Sequence, residues 1–242
     1  MTYAAEKNNK IVFLLKSLKS EYVEDTMEKG RFCFNKPSVF STWEDKNAAQ
    51  FDRWDAHSAY EAFDLVYAPI IKDEGGVIEY GTAKRFADKA IIHEQGSFAK
   101  QSFICCFRYL TPQEVEFCNN GIRLSLGMTA NRIIEEFGHD SFVVIHAQSF
   151  LDRVAKKVPN SSTMIQGAVV YKDLLYAVEF PFPEPVNSRI SQLYRKDAIF
   201  SWQQEFRVVL ASDNSSTEIR EFIEIGPIYD IACYGKLSDL VK

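Results

Sequence analysis

The 242 residues hold 28 Lys and Arg against 33 Asp and Glu, a formal charge of −5, which excludes a generally basic coat for nucleic acid or membrane and leaves any polyanion site to a few residues. With 46% hydrophobic and 14% aromatic residues the chain can bury a sizeable core. Five cysteines, Cys33, Cys105, Cys106, Cys118 and Cys233, are odd in number and make no CxxC pair, a usage that fits reduced thiols better than disulfides or a zinc site.

The start, MTYAAEKNNK, has no apolar core with a cleavage signal, and no apolar run approaches the ~18–20 residues of a membrane span. The expectation is a cytoplasmic protein with no membrane partner, forming a single domain over residues 1–242. Ile11–Leu15 is a short apolar run consistent with a buried strand, with Lys16 and Ser17 at its end. Ser20 stands ahead of EYVEDTMEKG, whose acidic start and Lys29-Gly30 close predict a helix over about 21–29. RFCFN (31–35) alternates as a strand with Phe32 and Phe34 on one face, Pro37 ends it, and one or two helical turns follow.

The charged and aromatic stretch around Phe51–Asp55 suits a surface loop, and Asp73–Gly76 is a turn between short strands. Residues 82–93 suit a helix slightly better than a strand. Gln101–Leu110 (QSFICCFRYL) is the best candidate for a central strand. TPQEVEFCNNG is a polar connection or short helix, and residues 122–127 an extended piece. Thr129 is a candidate cap for a helix closed by Gly138. Residues 141–147 read as a strand, about 148–157 as a helix burying Phe150, Leu151 and Val154, and 164–171 as another strand. PFPEPVNS (181–188) is the one stiff loop. Strands at 221–226 and beyond, with a short final helix, complete an α+β class, mixed or antiparallel sheets with short flanking helices.

Most of the chemistry centres on Tyr194–Ser212, YRKDAIFSWQQEFRVVLAS. A basic turn, Arg195-Lys196, leads into a run that alternates as a strand. Residues two apart on a strand share a face, so Phe206, Val208 and Leu210 face the core, and Gln203, Glu205, Arg207 and Val209 the other side. A carboxylate at a strand entrance can take a proton, hold a ribose hydroxyl or steady a developing cation; the plain alternative is that Glu205 pairs with Arg207 or a neighbouring strand at the solvent edge. The four histidines have no metal-ligand spacing, and no GxSxG, GxxxxGK[ST] or GxGxxG motif occurs.

The order FLLKSLKSEYVEDTMEKGRFCFN, QFDRWD, FGHDSFVVIHAQSFLDRV, then KDAIFSWQQEFRVVL and IEIGPIYDIACYG, resembles ADP-ribosyltransferase-like bacterial proteins of phage-defence and toxin loci, distantly the DarT-type toxins, over nearly the full chain. The resemblance implies an ADP-ribosyltransferase-like fold and NAD as substrate. It makes Glu205 catalytic and Gln203, two residues earlier, its accessory. Lys16 or Ser17 at the end of the first strand would clasp the dinucleotide, Arg31 would serve its pyrophosphate, and Phe34, Phe40 or Trp43 would stack on nicotinamide. The implied partners are a macromolecular acceptor, RNA or DNA among them, and an antitoxin or regulatory protein. The chain departs from better-known groups in lacking a first-strand His or Arg and a middle-strand Ser-Thr-Ser, where SFICCF stands. The alternative is a non-catalytic sensor of the same fold that binds a nucleotide or a phage protein.

Overall fold

A computed structural model describes residues 11–41, 58–67, 70–74, 77–80, 84–94, 97–119, 121–172, 190–212 and 217–241. The fold is α+β, with a mostly antiparallel sheet and few short helices.

Strand β1 (Phe13–Leu18) opens it. It does not stop at Leu15, because Lys16, Ser17 and Leu18 go on pairing with Val143, Phe142 and Ser141. A 3-10 turn at Ser20–Tyr22 leads into helix α1 (Val23–Lys29). The expected Ser20 cap is absent; the Ser20 N–H donates to Asp140 Oδ1 at 2.6 Å. Gly30 closes α1 in the left-handed region (φ 57°), where a Cβ would lie 2.2 Å from the Gly226 carbonyl oxygen, so glycine is required twice over.

Strand β2 (Arg31–Asn35) follows as expected, then α2 (Pro37–Ser41). Strands β3 (Ser58–Tyr67), β4 (Ile70–Glu74), β5 (Val77–Tyr80) and β6 (Lys84–Glu94) form nested antiparallel ladders, β4–β5 inside β3–β6. Of the turn expected at Asp73–Gly76, Asp73 and Glu74 belong to β4 and pair with Ile78 and Val77 of β5, and residues 75–76 lie outside the described residues. The helix expected over 82–93 is instead β6: long-range pairing with β3 overrides a weak local preference. Residues 51–55 and 181–188 lie outside the described residues.

Helix α3 (Ser97–Gln101) precedes β7 (Phe103–Tyr109), the central strand read from the sequence. The connection after it is a hairpin, β8 (Val115–Cys118) with β9 (Gly121–Leu124), rather than a short helix. Helix α4 (Met128–Phe137) starts from Gly127 with no side-chain cap, so Thr129 sits inside its first turn. Then come β10 (Ser141–His146) and α5 (Ala147–Ala155), the latter capped by the His146 ring accepting from the Ser149 N–H. Strands β11 (Ser162–Ala168) and β12 (Val170–Lys172) follow, and β13 (Arg195–Asp197) pairs in parallel with β12. Strands β14 (Glu205–Ser212), β15 (Arg220–Glu224) and β16 (Ala232–Lys236) end the fold, with a 3-10 turn at Leu237–Leu240.

The main sheet runs β11-β14-β7-β1-β10-β16, with β2 bridging β7 to β15. On one face Leu14, Phe107, Val143, Phe206, Val208 and Leu210 pack with Phe32 and Phe34 under α5 residues Phe150, Leu151 and Val154. On the other, Leu15, Phe142 and Val144 meet Ala130 and Ile133 of α4 and Leu237. Truncating one of the buried phenylalanines costs about 3–5 kcal/mol, so these faces fix the strand order and hold β14 rigid.

Candidate functional site

Glu205 begins β14, between β11 and β7. Its approach is set locally: Asp197 accepts from the Ile199 N–H at 3.0 Å and caps the 3-10 segment Ala198–Gln203. Gln204 then takes a left-handed conformation (φ 44°, ψ 52°), at a cost of roughly 1–2 kcal/mol for a residue with a Cβ. Gln203 is therefore not on a strand face with Glu205, as the alternation predicted; it ends a helical turn, and the left-handed residue swings the two side chains toward each other. Three backbone bonds pin this corner. Glu205 N–H donates to Tyr171 Oη at 2.8 Å, Val169 N–H to the Glu205 carbonyl at 2.9 Å, and Tyr109 N–H to the Gln204 carbonyl at 2.9 Å.

The side chains converge on Lys196. Its Nζ donates to Gln203 Oε1 at 2.8 Å and to Glu205 Oε2 at 3.1 Å. The other carboxylate oxygen, Oε1, accepts from Arg207 Nε at 2.6 Å, while Arg207 Nη1 donates to the Leu193 carbonyl at 2.8 Å. Glu205 is 5% exposed and Arg207 fully buried. Burial alone would raise the Glu205 carboxyl, but the Arg207 and Lys196 charges, with hydrogen bonds from Arg207 and Cys106, outweigh it and hold the group well below the usual carboxylate range. Burial and then the Glu205 charge push the Cys106 thiol well above its ordinary value, and raise the Tyr171 phenol in the same order. The result is a fixed, ionised carboxylate with a cation on each oxygen. The pairing with Arg207 foreseen at a solvent edge occurs, but in the interior.

The other expected residues scatter. Leu15, Arg108 and Glu205 are cross-strand partners and share a face, so Lys16 belongs to the opposite one. There its Nζ lies 5.2 Å from the centroid of the Phe107 ring and donates to the Cys106 carbonyl at 2.7 Å. Ser17 Oγ is 2.9 Å from His139 Nδ1; burial, Lys16 and Lys19 lower that imidazole to about 4, so it is neutral at pH 7. Arg31, at an exposed end of β2, pairs with Asp25 and Glu224 and stacks on Phe222. Phe34 is a core residue with no exposure. The Phe40 side chain and Trp43 lie outside what is described. Lys196 is the site residue that the sequence reading did not assign; its signal was the basic turn ahead of an otherwise apolar segment. Among the described residues, no three His, Cys, Asp or Glu side chains form a group that could hold a metal ion.

Compared with known proteins, the chain matches no family model, no curated protein and no solved structure.

Proposed function

We propose that the chain is an NAD-consuming ADP-ribosyltransferase acting on a macromolecule, in the toxin or phage-defence class. The observation that supports this reading is the convergence of Gln203 and Glu205 on one ammonium at the entrance of an internal strand, with the carboxylate ionised and rigidly held. In the reaction the bond from the ribose carbon to nicotinamide breaks, nicotinamide leaves with the electron pair, and the ribose gains cationic character. A fixed carboxylate stabilises that charge and accepts a ribose hydroxyl; the acceptor nucleophile then bonds to the same carbon and loses a proton. Lys196 compensates the carboxylate in the resting protein. The dinucleotide's pyrophosphate offers that ammonium a second anion, and a shift toward it uncovers Glu205 Oε2.

The second reading, a non-catalytic nucleotide- or protein-binding module, is favoured by one observation: both Glu205 oxygens are already bonded to cations, which blunts a carboxylate as a partner for an oxocarbenium. Incubation with NAD labelled in its adenylate, in the presence of RNA, DNA and lysate protein, separates the two. The transferase reading expects label on one class of acceptor and none with Glu205→Gln; a folded wild-type protein that labels nothing leaves the binding module.

A further inference from the structure

Strand β15 is an edge of the main sheet: it pairs antiparallel with β2, and among the described residues no strand pairs with its other side. Strands β2 and β7 separate it from the strand of Glu205. The ladder decides which groups face outward. Lys36 N–H donates to the Ile219 carbonyl at 3.0 Å and Ile225 N–H to the Gly30 carbonyl at 3.1 Å, so the odd-numbered residues turn their main chain toward β2. A residue of an antiparallel strand directs its N–H and C=O to one side and its neighbours direct theirs to the other, which leaves those of Arg220, Phe222 and Glu224 pointing away from the sheet.

The side chains of these three residues share a face as well. Phe222 is 51% exposed, although Ile223 beside it is buried. Arg31, the cross-strand partner of Glu224, carries its guanidinium 4.4 Å from the Phe222 ring centroid and its Nε 3.7 Å from the Glu224 carboxylate, and so braces both. An open row of main-chain groups invites a further strand, and charged side chains along it ordinarily turn one away. Here the two charges have opposite sign and stand symmetrically about the phenylalanine, which makes the edge complementary to itself. Two copies paired antiparallel with Phe222 on the twofold axis set Phe222 against Phe222 and each Arg220 against the other copy's Glu224, every pair exchanging both N–H···O bonds. Sliding the pair by two residues in either direction sets each Phe222 against a charged residue and breaks both Arg–Glu pairs. Facing aromatics and opposite charges directly across a ladder stabilise it, and like charges destabilise it.

We infer that β15 is a homodimerisation edge, joined in this register to β15 of a second copy of the chain. Sedimentation of the full chain over roughly 1–500 μM tests the assignment, and the wild type is expected to pass from monomer to dimer within that range, as suits a small interface. Arg220→Glu sets Glu against Glu and Glu224→Arg sets Arg against Arg. Each variant is expected to weaken self-association by at least about tenfold while keeping the far-UV circular dichroism of the wild type, both residues being exposed. Mixed in equal amounts, the two variants recover both opposite-charge pairs and are expected to associate within about threefold of the wild type. A wild type that stays monomeric throughout overturns the inference, as does dimerisation that survives either reversal, or a mixture of the folded variants that remains monomeric.

Discussion

Lys196 is bonded to both polar groups that the proposed chemistry needs, Gln203 and Glu205. Lys196→Met leaves Glu205 buried with one cation gone, and is expected to destabilise the fold by about 3–5 kcal/mol in urea denaturation. Glu205→Gln keeps the shape and loses the charge. The acid side follows from the depressed carboxyl: between its folded pKa and the ordinary value near ~4.3 the unfolded chain binds more protons, so this contribution to stability is complete above that value and is lost as pH falls toward the folded pKa. Stability of wild type relative to Glu205→Gln should therefore shrink on acidification below about pH 4; a constant difference from pH 7 to 3 contradicts the ionised cluster. At His139 the signs differ in origin but not in direction. Its imidazole is held neutral down to about 4, so an NMR titration should find its midpoint there, and the fold loses stability as pH drops from about 6.5, the unfolded value, toward 4.

At the scale of elements, the glycines that end and begin helices separate strain from collision. Gly30 has both a positive φ and the Gly226 carbonyl oxygen in the place of a Cβ, whereas Gly127 has the φ (43°) and nothing within 4 Å. Gly30→Ala is expected to cost more than about 3 kcal/mol and Gly127→Ala, at ψ −118° outside the left-handed helical region, about 1–3 kcal/mol in chemical denaturation. Local signals of this kind were legible beforehand: the Lys29-Gly30 stop, the Phe32/Phe34 and Phe206/Val208/Leu210 faces, the apolar β7 and the buried stripe of α5 all stand where residue spacing put them. What spacing could not show came from partners distant in sequence. Residues 84–94 are a strand because β3 pairs with them, β1 runs through Lys16 and Ser17 because β10 does, and Gln203 leaves the strand because Gln204 adopts a backbone conformation that few glutamines take. The Gln203–Glu205 order was legible as a motif and the Glu205–Arg207 pairing from strand alternation, but the burial of that pair, the approach of Lys196 and the face on which Lys16 lies required the fold.

For the whole molecule, the described helices are short, α4 being ten residues, and none is long and apolar enough to cross a membrane. All five cysteines are free, with Cys118 and Cys233 exposed and Cys105 buried. Mass spectrometry after brief exposure to a thiol reagent should find Cys118 and Cys233 modified first and Cys105 only on unfolding; early loss of Cys105 would mean that β7 is not the interior strand described. The antiparallel sheet places one carboxylate inside that frame, and the proposed transferase depends on its charge. Nicotinamide release from NAD by the wild-type protein and by folded Glu205→Gln measures this most directly. The account predicts release by the wild type and a fall of at least about a hundredfold in the variant; equal release by the two would contradict it.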